Sequence, residues 1–127
     1  MSTHLNKASP GDWVDFRGPV GRFKYERNMY RSIGMVAGGT GLTPCLQVIR
    51  SVLDRSLPGD ATTFVLYFQN RTEKDILLKA ELDALVQKHK ERLVVEYFLS
   101  NPSSNDWGNQ SGLENSVHNE HRGYISK

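Results

Sequence analysis

The chain has 127 residues, 38% hydrophobic and 24% charged, with a formal net charge of +2 at pH 7. That composition suits one compact domain and excludes both a disordered polyelectrolyte and two full domains. Lys and Arg alternate with acids, as in Lys79-Ala80-Glu81 and Lys90-Glu91-Arg92, so no basic face for nucleic acid forms.

Residues 1–10 are polar throughout, lacking the apolar core of a secretory signal, and Ser2 can cap a short helical turn. The Pro10-Gly11-Asp12 turn leads into Trp13-Val14-Asp15-Phe16, whose alternation predicts a strand. Gly18-Pro19-Val20-Gly21 breaks it, and residues 22–25 predict a second short extended piece. From residue 32 the pattern changes. Residues 33–37 form a short apolar run stopped by glycines, as in a buried parallel strand. A helix is predicted from Pro44 to about Leu57, with Leu46, Ile49, Val52, Leu53 and Leu57 at helical spacing. Residues 62–68 are dense in β-formers, residues 73–91 read as helix with Ile76, Leu82, Leu85 and Val86 toward one side, and residues 93–99 read as strand. Three strands alternating with two helices, joined by right-handed crossovers, predict a parallel sheet. Residues 101–122 are rich in Asn, Ser, Gly and His and predict a polar surface loop or insertion. No apolar stretch reaches membrane-span length. The lone Cys45 cannot form an internal disulfide and implies a reducing compartment.

The chemistry centres on Ala37-Gly38-Gly39-Thr40-Gly41-Leu42-Thr43-Pro44, between a predicted strand and a predicted helix. In parallel α/β sheets, ligands bind at the carboxyl ends of the strands. Glycines there permit positive φ and let backbone N–H groups approach a pyrophosphate. Thr43 is placed to cap the helix, and Pro44 to occupy its first position, where a missing N–H costs nothing. The helix would then turn its positive dipole end toward the anion. Without a Gly-Lys-Ser/Thr, this is not a nucleoside-triphosphate loop, and the competing reading is a glycine-rich connector with no ligand. Asp75 has two readings, a ribose contact or an acid favoured by the helix dipole. His118 and His121 share a helical spacing but lack a third ligand, so no metal is expected. Cys45 reads as a small packed residue rather than a nucleophile, for want of a His partner.

Residues 32–53, with Gly34-Met35-Val36-Ala37-Gly38-Gly39-Thr40-Gly41-Leu42-Thr43-Pro44 and then Leu46-Gln47-Val48-Ile49, resemble the NADH–cytochrome b5 reductase family of ferredoxin reductase-like flavoenzymes. Other stretches agree in order: Met1-Ser2 with Leu5, Phe16-Arg17-Gly18-Pro19-Val20-Gly21, Asn70-Arg71-Thr72-Glu73-Lys74-Asp75-Ile76-Leu77-Leu78, Trp107, and Gly123-Tyr124-Ile125-Ser126. The resemblance implies a three-layer α/β domain, a parallel sheet with helices on both faces, incomplete here. It occupies residues 30–127 and follows a remnant of the flavin-binding β-barrel at residues 1–29, with Trp13 and Phe16 in the barrel core.

The implied activity is hydride transfer from NAD(P)H to FAD and onward to a one-electron acceptor such as a cytochrome. By the same resemblance Met1 and Ser2 contact the FAD pyrophosphate, and Thr43 approaches the flavin as the catalytic-site residue. Gly38, Gly39, Thr40 and Gly41 hold the nicotinamide half, Pro44 belongs to the same cofactor-binding set, and Tyr124 sets an aromatic ring near the nucleotide. Ser100, followed by Asn101, stands where NADH-using members commonly carry an acid. With Arg71 nearby, NADPH remains the alternative to the favoured NADH. The implied location is the cytoplasm, or a membrane's cytoplasmic face reached through regions outside this chain. The Arg-x-Tyr-Ser/Thr flavin motif expected before Met1 and the Cys-Gly-Pro motif expected after Lys127 are absent. The chain therefore reads as a truncated reductase with little or no activity alone, the other reading being an inactive isoform or fragment that serves only as a nucleotide-binding or interaction module.

Overall fold

Phe64, Leu66 and Phe68 alternate with Thr63, Val65 and Tyr67, and this β-forming run makes the interior strand β2 (Thr63–Asn70). The computed structural model describes all residues except Met1, Pro19, Arg22, 55–58, 104–106, 108–118, Tyr124, Ser126 and Lys127. In chain order the elements are α1 (Ser2–Leu5), β1 (Ser32–Gly38), a 3₁₀ turn (Gly39–Gly41), α2 (Leu42–Leu53), β2, a 3₁₀ turn (Glu73–Asp75), α3 (Lys79–Lys88), β3 (Leu93–Leu99) and β4 (Asn119–Arg122). All strand pairs are parallel in the order β1-β2-β3-β4, with Ala37 opposite Phe68 and Phe68 opposite Tyr97. The α/β class and parallel sheet follow the sequence expectation.

One face of the sheet builds the core. Phe64, Leu66, Phe68, Leu93, Val95, Tyr97 and Leu99 meet Leu42, Leu46, Ile49, Val52 and Leu53 of α2 and Leu82, Leu85 and Val86 of α3. Both helices lie on that face because successive right-handed crossovers advance the sheet in the same direction. Among the described residues no helix covers the opposite face, where Val36 is 67% exposed. Nor is any described helix long and apolar enough to cross a membrane.

A buried carboxylate fastens the segment before β1 to this sheet. Asp60, whose side chain is 1% exposed, accepts hydrogen bonds from Tyr25 Oη at 2.6 Å and Thr62 N at 2.8 Å. It also accepts from Asn28 N at 3.2 Å and pairs with Arg92 at 3.2 Å. Burial alone would raise its pKa, but the hydrogen bonds from Tyr25, Thr62 and Asn28 outweigh it and hold the carboxyl at about 2.

Several local expectations are corrected. Residues 13–16 and 23–25 form no strand, because no described neighbour completes their backbone ladder. Trp13 is fully exposed and Phe16 82% exposed, so neither is core. The helix α2 begins two residues before Pro44, since the 3₁₀ turn winds directly into it; it ends at Leu53, and Leu57 lies outside the described residues. The predicted helix over residues 73–91 is interrupted at Leu78, which adopts a left-handed φ of 54°. Part of the predicted polar loop becomes β4, whose Asn119 to Arg122 stand opposite Glu96 to Leu99 of β3. Trp107 joins the core and donates from Nε1 to the carbonyl of His121 at 3.0 Å.

Candidate functional site

The glycine turn stands where the sheet's geometry calls for a ligand, at the carboxyl end of β1 and the head of the 12-residue α2. Its three glycines differ physically. Gly38 is extended (φ −125°, ψ 126°), Gly41 is helical (φ −62°), and only Gly39 needs a left-handed φ of 49°. A Cβ on any of them would meet nothing within 4 Å, so the missing side chains leave open space rather than relieve crowding. Such a cradle fits a pyrophosphate approached by backbone N–H groups.

The cap differs from expectation. Gly41, not Thr43, holds the N-cap position of α2, and no side chain caps it. Thr43 is instead the second helical residue, exposed, with its hydroxyl donating to the Thr40 carbonyl at 3.1 Å. Pro44 is third, still within the first turn, where amides have no intrahelical acceptor. No acid stands in that first turn, so the positive end of the helix dipole is left for an anion.

Next to the turn, Gln69 of β2 is the register partner of Gly38. Asn70 follows, 6% exposed, and neither its Nδ2 nor its Oδ1 has a partner among the described residues. Buried polar atoms without partners cost about 1–3 kcal/mol each and are retained where they serve something else. Asn70→Leu should therefore raise unfolding stability by about 1–2 kcal/mol while weakening nucleotide binding. Urea denaturation and calorimetry check the two halves, and loss of stability would show that the carboxamide is satisfied.

The exits of β2 and β3 are laced together. Ser100 N donates to Asn70 O at 3.1 Å, Asn101 N to Arg71 O at 2.8 Å, and Ser103 N to both Glu73 carboxylate oxygens at 2.9 Å. This places half-buried Ser100 beside the end of β2. Asp75 has a role that neither sequence reading contained: its Oδ2 accepts from Thr72 N at 2.9 Å and Thr72 Oγ1 at 2.7 Å, forming a capping box. These two bonds, side chain first, lower its pKa, assisted by Arg71.

Met1, Tyr124 and the side chain of Ser2 lie outside the described residues. Cys45 is half-buried against the core and burial raises its pKa, which makes it a packed residue. His118 lies outside the described residues, while His121 bonds Glu96 at 3.0 Å and stacks on Phe98 at 4.5 Å. Among the described residues no cluster of three metal-ligating side chains occurs. Gln69 escaped the sequence reading, and Asn70 entered it only as the first residue of a family-like stretch, not as a site residue.

The family model described as "Oxidoreductase NAD-binding domain" matches residues 35–127. An NADH-cytochrome b5 reductase 2 of Debaryomyces hansenii is 42% identical over 112 residues, 88% of this chain and 36% of that protein. An NADH-cytochrome b5 reductase 1 of Dictyostelium discoideum is 50% identical over 102 residues, 80% of this chain and 35% of that protein. The chain thus spans about a third of the length of these curated relatives. Among solved structures, the cytochrome b5 reductase domain of Ulva prolifera nitrate reductase superposes with a TM-score of 0.79 at 35% identity, covering 98% of this chain and 46% of that one.

Proposed function

The chain belongs to the oxidoreductase NAD-binding domain family, and on that premise we propose that it is the nucleotide-binding part of a cytochrome b5 reductase-like flavoenzyme. The observation that carries this reading is the uncapped head of α2 behind three glycines whose Cβ positions are open. Gly38, Gly39 and Gly41 admit the pyrophosphate, Thr40 and Pro44 line the same turn, and the α2 dipole favours the charge. The nicotinamide, when bound, supplies a hydride for FAD and, through it, for a one-electron acceptor such as a cytochrome.

Residues 30–127 form the nucleotide domain in this reading, and residues 1–29 belong to the flavin side, with Met1 and Ser2 toward the FAD pyrophosphate and Thr43 toward the flavin. Ser100, Asp75 and Tyr124 complete the nucleotide contacts, Asp75 through the oxygen its capping box leaves over. NADH is the favoured nucleotide, and the enzyme works in the cytoplasm or on a membrane's cytoplasmic face.

Titration calorimetry of the 127-residue chain should show NADH binding in the micromolar-to-millimolar range usual for such substrates. No heat and no rise in melting temperature at millimolar NADH would overturn the reading. Tighter binding of NADPH would reverse only the nucleotide preference.

A further inference from the structure

Gly38, Gln69, Phe98 and His121 form one row across the four strands at the carboxyl end of the sheet. Ala37, Phe68 and Asn70 point into the core, so strand alternation turns Gly38 and Gln69 toward the opposite, open face. There the Gln69 carboxamide does unusual work. Its Nε2 donates to the Gly123 carbonyl at 3.2 Å, and its Oε1 accepts from Ile125 N–H at 3.1 Å. Further contacts run from Nε2 to the carbonyls of Asn70 at 3.1 Å and Phe98 at 3.4 Å. A primary amide offers both donors and an acceptor, so it pairs with a C=O and an N–H two residues apart much as a neighbouring strand would. Gly123 N–H is tied separately to Leu99 O at 2.7 Å, and Gly123 holds a φ of 109° that L side chains rarely adopt.

We infer that Gln69 is a positioning residue of the nucleotide site, an inference that rests on the functional reading above. Its carboxamide clamps Gly123 and Ile125 at the carboxyl end of the sheet, next to the open space over Gly38. A nucleotide laid across the glycine turn then meets a preset backbone instead of having to order it. The side chain itself need touch no ligand.

The test uses the full 127-residue chain, with hydrogen exchange followed by NMR and NADH binding by calorimetry. In Gln69→Leu, exchange at the Ile125 amide should accelerate by about tenfold or more, while Leu66 and Val95 keep their protection. NADH affinity should fall about tenfold, the loss expected for two hydrogen bonds that order the site. Gln69→Glu keeps the acceptor for Ile125 and loses the donor to Gly123. It should therefore retain most of the Ile125 protection and lose only about threefold in affinity. A merely structural role would instead raise exchange throughout the core. Unchanged Ile125 exchange in Gln69→Leu overturns the clamp, whatever happens to binding. Faster exchange with unchanged NADH affinity overturns the positioning role alone. A parent chain that binds no NADH overturns the functional reading, and the exchange data still decide the clamp.

Discussion

Asp60→Ala should destabilise the domain by about 3–5 kcal/mol, the range found when one partner of a buried ion pair is removed. The carboxylate is the shared acceptor for Tyr25 Oη, Asn28 N, Thr62 N and Arg92. Its removal takes one partner from the half-buried Arg92 guanidinium, strands two backbone amides and loosens residues 25–31 from the start of β2. The pH dependence follows the same group. Its folded pKa of about 2 lies below the ordinary 3.8, so the folded state favours the charged form. That stability is fully present above pH 4 and is lost as pH falls toward 2, with about 2 kcal/mol at stake. Asp54, lowered by Lys88 and His89, pushes in the same direction. Urea denaturation of the parent and variant between pH 2 and 7 would read both effects. A parent whose stability is flat from pH 5 to 2, or an Asp60→Ala chain within 1 kcal/mol of it at neutral pH, would refute this account.

Gly39→Val should abolish nucleotide binding and cost about 2 kcal/mol of stability. An L-residue in the left-handed region costs roughly 1–2 kcal/mol, and a β-branched one fares worse. Gly39 sits at φ 49° with open space beyond its Cα. A valine there is strained and also projects where the pyrophosphate would pass. Gly41→Ala separates these two causes. Its φ of −62° suits alanine, so stability should hold or rise by about 0.4–1 kcal/mol. Its methyl still intrudes on the ligand, and an overlap of about 1–3 kcal/mol corresponds to a roughly 5–150-fold weaker Kd for NADH. Melting curves and calorimetry on the two variants test this directly. Full NADH affinity in Gly41→Ala would remove the turn from the binding surface.

Where an element's reason was local, its residues announced it. The helix α2 was legible because Leu46, Ile49, Val52 and Leu53 repeat at helical spacing, and the glycine turn because a strand, three glycines and a helix follow in order. The start of α2 was misplaced by two residues: Thr43 and Pro44 satisfy capping preferences, yet the 3₁₀ turn had already begun the winding. Asp75 was read for its charge, whereas its geometry with Thr72 decides its use. Residues 13–16 alternate like a strand but find no partner strand among the described residues, and Asn119 to Arg122 pair as a strand without alternating like one. Side-chain pattern reports burial, while strand formation depends on an available ladder.

The same division runs through the site. Sequence by itself determined the α/β class, the parallel sheet, the family and the glycine turn between β1 and α2, because each rests on residue type and short spacing. Only the tertiary structure decided which glycine needs its freedom, that both helices cover one face, and that Asp60, Asn70 and Gln69 matter. These three act through partners 1 to 56 residues away in the chain or, for the Asn70 side chain, through the want of any among the described residues. Long-range pairing of buried polar groups is set by how the strands stack in space, and a linear pattern carries no trace of it.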